Sequence, residues 1–153
     1  MICVDASLIL KLLLDEEDSD KAQFLWQLWA EQSIEMIAPY HLAFEVISVL
    51  RHRQWRGDLT SEEAQLAFET FRSFDIRLIH PDEMLERAWA LAQRFNRPTV
   101  YDSYYLAIGE LLDCEVWTAD RRLHLAVNGT LGWVKLLRDY QLPTKRRPAQ
   151  SNE

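Results

Sequence analysis

The sequence predicts an α/β fold: one three-layer domain, with a mainly parallel sheet of about five short strands flanked by helices. Three observations lead there. Short apolar runs at 1–5, 36–38, 76–79, 115–118 and 133–137 alternate with longer stretches of helical period, the pattern of βαβ units and a parallel sheet. Only 4 Gly and 5 Pro are present, too few turn formers for an all-β sandwich. The 153 residues are 48% hydrophobic and 27% charged, which suits one soluble domain with a sizeable core.

The elements follow in order. Ile2-Cys3-Val4 is a buried strand, apolar on both faces, and Leu8 to Leu14 a helix ended by the acidic cluster Asp15 to Asp18. A second helix runs from about Ser19 to about Gln32, with Ala22, Leu25, Trp26 and Trp29 on one stripe. Met36-Ile37-Ala38 is a strand. A third helix spans His41 to Gly57, and a fourth opens at Thr60-Ser61-Glu62-Glu63, a capping-box pattern, with its stripe at Ala64, Ala67, Phe68 and Phe71. Ile76 to Ile79 is the third strand. Pro81 opens a fifth helix with an expected stripe at Leu85, Ala88, Trp89 and Ala92. Val100 to Leu112 is a sixth helix, Glu115 to Thr118 a strand, Arg121 to Val127 a short helix, and Trp133 to Leu137 a last strand. Residues 1–142 are read as the folded domain. Residues 143–153, polar and carrying Lys145, Arg146 and Arg147, are read as a frayed tail.

Composition excludes several classes. Two cysteines, Cys3 and Cys114, give neither a disulfide framework nor a zinc site and read as small core residues in a reducing compartment. The N-terminus reaches Asp5 before an apolar signal core could form, and no stretch approaches the roughly 20 apolar residues of a membrane span. A cytoplasmic protein is expected. The net charge of −7 argues against a coat for nucleic acid. It does not argue against a nuclease, whose metal-holding centre is itself built of carboxylates.

In a parallel sheet, ligands bind at the carboxyl ends of the strands, so the residues just beyond each strand carry the functional signal. Asp5 follows the first strand and Asp120 the fourth, although aspartate there also suits a helix cap. Glu45 is the lone charge in Leu42 to Leu50. If that helix is buried on nearly all sides, its carboxylate needs a cation or a pairing arginine, Arg51 or Arg53. Asp102 lies in the first turn of the sixth helix, where the helix dipole favours an acid. Four converging carboxylates repel one another, and divalent cations relieve that repulsion. His41, His52, His80 and His124 show no ligand spacing.

These residues resemble a known family. Val4-Asp5-Ala6-Ser7, Glu45 in its apolar helix, Tyr101-Asp102-Ser103-Tyr104-Tyr105-Leu106-Ala107, and Trp117-Thr118-Ala119-Asp120-Arg121-Arg122-Leu123 are similar, in this order and spacing, to the PIN domains. Within them they resemble the VapC-type toxins of bacterial toxin–antitoxin pairs, over roughly residues 1–137. The resemblance implies a Mg²⁺- or Mn²⁺-dependent endoribonuclease, a homodimer, and a small antitoxin partner. It carries the acidic quartet onto Asp5, Glu45, Asp102 and Asp120, as metal-holding and catalytic residues, with Ser7 and Thr118 as supporting polar groups. Lys11, Arg121 and Arg122 are candidate RNA contacts, within a basic rim that also draws on Arg51, Arg53, Arg56, Arg94 and Arg97.

Two other readings stand beside this one. An aspartate-based phosphoryl-transfer domain also uses strand-end acids, but a phosphatase of that kind wants Asp-x-Asp after its first strand, and residue 7 is Ser. A catalytically inactive PIN-like interaction module would normally lack some of the acids, and all four are present. The large apolar residues Phe24, Trp26, Trp29, Trp55, Phe68, Phe71 and Phe74 exceed what one core side needs, so a two-fold dimer through helices two to four is expected.

Overall fold

The computed structural model describes residues 1–144; of the expected tail, residues 145–153 lie outside the described residues. One sheet of five strands, β1 (Ile2–Val4), β2 (Met36–Pro39), β3 (Arg77–Ile79), β4 (Val116–Thr118) and β5 (Val134–Leu136), has the order β3-β2-β1-β4-β5. Every neighbouring pair is parallel. Parallel strands need crossovers, and the chain supplies α1 (Ala6–Leu13), α2 (Ser19–Glu31), α3 (Leu42–Arg56), α4 (Ser61–Ser73), α5 (Met84–Arg94), α6 (Tyr101–Leu112) and α7 (Arg121–Val127). Right-handed crossovers put α1 to α4 on one face. The chain reverses direction after β3, so α5 to α7 cover the other. This is the three-layer α/β architecture expected. β1 and β2 are buried along their whole length, as strands covered on both faces must be. Cys3 and Cys114 are buried and free.

Local chemistry accounts for the boundaries. Thr60 Oγ1 accepts from the Glu63 amide while the Glu63 carboxylate accepts from the Thr60 amide, a complete capping box. Gly57, at φ 83°, ends α3 in the left-handed conformation that glycine adopts without strain. Gly109 serves a different need. A Cβ there would stand 2.4 Å from the Trp133 ring and 2.6 Å from Val116, so α6 lies this close to β4 and β5 only because residue 109 has no side chain.

Two expectations are corrected. The buried stripe of α5 is Met84, Ala88, Leu91 and Ala92, whereas Leu85 is 54% and Trp89 61% exposed. The chain turns after Pro81 with Glu83 at φ 63°, the helix starts at Met84, and the small Ala88 and Ala92 turn inward while Trp89 stays outside. Helix α3 is not buried on nearly all sides either. Leu42, Val46 and Leu50 are buried, but Phe44 is 68% and Ile47 36% exposed, so Glu45 stands at the margin of the covered face. Of the seven large residues expected to form a dimer surface, Trp55 alone is largely exposed; Trp26, Trp29, Phe68, Phe71 and Phe74 belong to the core or pack against it, and half-buried Phe24 stacks on Tyr140.

Candidate active site

The sheet order has a switch point. From β1 the chain moves to β2 on one side, and β4 lies on the other, so the connections leaving β1 and β4 part to opposite faces. The crevice this opens beyond the carboxyl ends is where such sheets bind ligands. Asp5 follows β1 and Asp120 stands just beyond β4. Both also cap helices, as their residue type suggested: Asp5 Oδ1 accepts from the Leu8 amide, and Asp120 Oδ1 accepts from the Arg122 and Leu123 amides. The cap holds each carboxylate at the crevice.

Asp5 is 4% exposed. Its Oδ1 accepts from Ser7 Oγ at 2.7 Å and its Oδ2 from Thr118 Oγ1. Ser7 Oγ accepts in turn from the Ala119 amide at 2.8 Å, and Thr118 Oγ1 from the Asp120 amide at 2.9 Å. The Ser7 and Thr118 hydroxyls thus tie the end of β1 to the end of β4 and fix both aspartates. Burial pushes the Asp5 carboxyl up to about 7. The hydrogen bonds from Thr118, Ser7 and Leu8 pull against this, and the charge of Asp120 adds to the rise.

Glu45 and Asp102 reach the same edge from α3 and α6. Tyr105 donates to Glu45 Oε1 at 3.0 Å. Its phenol is held far above its ordinary range by burial first, then by the charges of Glu45 and Asp5; it stays a donor, and both acids act on it. Asp102 lies one helical turn before Tyr105. The arginine expected to pair with Glu45 is absent from that role, because Arg53 pairs instead with Glu16 at 3.4 Å and Arg51 contacts Gln54. The partner is His41, whose Nε2 lies 2.7 Å from Glu45 Oε1. Its N–H does not point along that line, leaving Nε2 without an aligned acceptor, so this is a close polar approach and not a formed hydrogen bond. Arg97 Nη2 lies 3.2 Å from Asp102 Oδ2. Sequence reasoning put Arg97 on the rim and gave His41 no role, though the His41 to Glu45 spacing of i, i+4 on a helix was a readable signal.

Three side-chain polar atoms are buried without an aligned partner among the described residues: His41 Nε2, Arg97 Nε and Ser103 Oγ. All belong to residues at or beside this edge. Among the described residues no three His, Cys, Asp or Glu side chains stand at direct ligand spacing for a metal. The donor set nonetheless fits a hard divalent cation. It is all carboxylate and hydroxyl oxygen, and the buried Asp5 carboxylate is met only by two hydroxyls and an amide, with no cationic side chain hydrogen-bonded to it. Mg²⁺ keeps several waters, and those bridge carboxylates too far apart to ligate together.

The expected rim is only partly available. Arg121 and Arg122 are exposed beside Asp120. Lys11 lies 3.8 Å from Glu16, Arg56 pairs with Asp58, and Arg94 lies over Phe95.

A family model described as PIN domain matches residues 2–127. The chain is 30% identical over 123 residues to VapC ribonuclease Mb0985 of Mycobacterium bovis, covering 80% of this chain and 88% of that protein. It is 30% identical over 122 residues to Ribonuclease VapC3 of Pyrobaculum aerophilum, covering 80% and 91%. In shape it is similar to the crystal structure of Mycobacterium tuberculosis VapC20, described as a Sarcin-Ricin loop cleaving toxin, with a TM-score of 0.61 over 82% of this chain and 95% of that one. At 19% identity that likeness speaks for the fold alone. A family model spanning most of the chain, and relatives matched over most of their own length, lead to one conclusion: this chain belongs to the PIN-domain family and is a VapC-type member of it.

Proposed function

We propose that this chain is a Mg²⁺- or Mn²⁺-dependent endoribonuclease acting in the cytoplasm as the toxin of a toxin–antitoxin pair. The observation that carries the reading is the switch-point crevice, with Asp5 and Asp120 tied together through Ser7 and Thr118 and with Glu45 and Asp102 brought to the same edge. Asp5, Asp102 and Asp120 hold the cation, directly or through water, and Glu45 completes the set as a ligand or as the group that orients the attacking water. The ion, when bound, supplies an activated water and offsets charge on the scissile phosphate. Ser7 and Thr118 keep Asp5 oriented, Tyr105 keeps one oxygen of Glu45 occupied, and Arg121 and Arg122 receive RNA phosphates beside Asp120. No helix of the described residues is long and apolar enough to cross a membrane, in keeping with an enzyme that meets RNA in solution. Exposed Phe44, Ile47 and Trp55 along α3, with Leu85 and Trp89 on α5, leave apolar surface for the antitoxin and for a second copy.

The test is RNA cleavage across a divalent-metal titration, comparing the intact chain with Asp5→Asn and Asp120→Ala. Cleavage is expected to need the metal, to vanish in both variants, and to leave a 5′-phosphate and a 3′-hydroxyl. Activity that persists in excess chelator, or a 2′,3′-cyclic phosphate product, refutes the reading.

A further inference from the structure

The carboxyl edge of the sheet carries more than acids. Register pairs Pro39 of β2 with Ile79 of β3, so the next residues, Tyr40 and His80, emerge side by side. Their rings lie 6.2 Å apart between centroids and within 11° of parallel. Tyr40 is 58% exposed and His80 is exposed as well. From the other side Tyr101, also 58% exposed, opens α6 directly before Asp102, its ring 6.1 Å from that of His41.

Nothing in the core accounts for these rings, because burying them is what an aromatic side chain ordinarily contributes and they are left out. Their place along the edge is informative. The order β3-β2-β1-β4 puts His80, Tyr40, Asp5 and Asp120 in a row at the ends of consecutive strands. Neighbouring strands are about 4.8 Å apart, so Tyr40 lies about one strand spacing, and His80 about two, from the Asp5 end of the crevice. A single-stranded chain whose phosphate sits at the carboxylates therefore has exposed aromatic rings close to its adjoining bases. Aromatic faces hold unpaired bases without regard to sequence. They also add attraction that does not depend on charge, which matters in a protein of net charge −7. A protein partner is less well matched by this stretch, which lies on the line of the crevice itself and ends at Asp102.

We infer that Tyr40 with His80, and Tyr101, form a base-stacking subsite that takes the unpaired nucleobases flanking the scissile phosphate. The inference rests on the ribonuclease reading.

The experiment is equilibrium binding by fluorescence anisotropy in Ca²⁺. The probes are a labelled 12-nucleotide single-stranded RNA of mixed sequence and the same ribose-phosphate chain with its central bases removed. Tyr40→Leu and Tyr101→Leu are expected to bind the base-bearing RNA about 5- to 150-fold more weakly than the unmodified chain. Tyr40→Phe, which keeps the ring, should bind as the unmodified chain does, and all four proteins should bind the abasic probe alike. Because both tyrosines are exposed, the leucine variants should fold, which circular dichroism checks. Wild-type affinity in both leucine variants overturns the inference, as does an equal loss for base-bearing and abasic RNA. Wild-type RNA affinity accompanied by a change in sedimenting species assigns the face to contact between copies and overturns it too. If the unmodified chain neither binds the RNA nor cleaves it in Mg²⁺, the ribonuclease reading falls first and takes the subsite with it.

Discussion

Asp5 offers a measurement that separates site chemistry from fold stability. Its carboxyl, ordinarily at 3.8, is pushed up to about 7 by burial, with the charge of Asp120 adding to the rise. Each tenfold preference for the protonated form is about 1.4 kcal/mol, so ionising Asp5 inside the fold costs about 4 kcal/mol. The folded protein holds this proton more tightly than the unfolded chain. Between about pH 4 and pH 7 it binds more protons than the unfolded state, and its stability falls as pH rises through that window. Above pH 7 the carboxyl is ionised in both states and the curve levels. Asp5→Asn removes the titration and leaves the other acids in place, so the difference between the two proteins isolates Asp5. Thermal unfolding in chelator should show the wild type losing about 4 kcal/mol relative to Asp5→Asn from pH 4 to pH 8. That is roughly 8–16 °C in the melting difference for a domain of this size. Mg²⁺ at a hundred times its dissociation constant should restore about 2.7 kcal/mol to the wild type at pH 8 and much less to the variant. A melting difference that does not move with pH refutes the reasoning.

Other outcomes follow from the same geometry. If exposed arginines such as Arg121 and Arg122 hold the RNA phosphates as proposed, cleavage at fixed Mg²⁺ should fall steeply as monovalent salt rises; activity indifferent to salt counts against that rim. Gly109→Ala should destabilise by about 1–3 kcal/mol in denaturant titration, since its Cβ meets the rigid Trp133 ring at 2.4 Å, and an unchanged midpoint would show that α6 shifts freely. Sedimentation at micromolar concentration should show a dimer; a species of 18 kDa excludes it.

Much of this was legible in the sequence because it depends on short-range rules. The capping box at Thr60 and Glu63, the Asp5 and Asp120 caps and the alternation of strands with helices are each written within a few residues. The legible part of the site is the part set by strand ends, which topology brings together without help from side-chain detail. What was not legible depends on which neighbours arrive. Phe44 and Ile47 read as core because they are apolar, yet apolar residues are only biased toward the inside, and among the described residues both stay exposed on that side of α3. Leu85 and Trp89 fit a helical stripe as well as Met84 and Leu91 do; the turn at Glu83 decided between them. Arg97 was assigned to the rim because its approach to Asp102 spans a loop, with no period to reveal it.

The hydroxyl bridge between β1 and β4 also bears on when the site comes into being. Asp5 and Thr118 are 113 positions apart, and the pairing of β1 with β4 closes a loop of that length. At roughly 5–20 residues per second of synthesis, about 6 to 23 s separate the making of the first aspartate from the making of its hydroxyl partner. Throughout that interval the growing chain has β1 but lacks β4, Thr118 and Asp120. A ribosome-bound fragment that stops short of Thr118 therefore carries no complete carboxylate centre, and whatever cutting the protein performs begins only after Asp120 has been made.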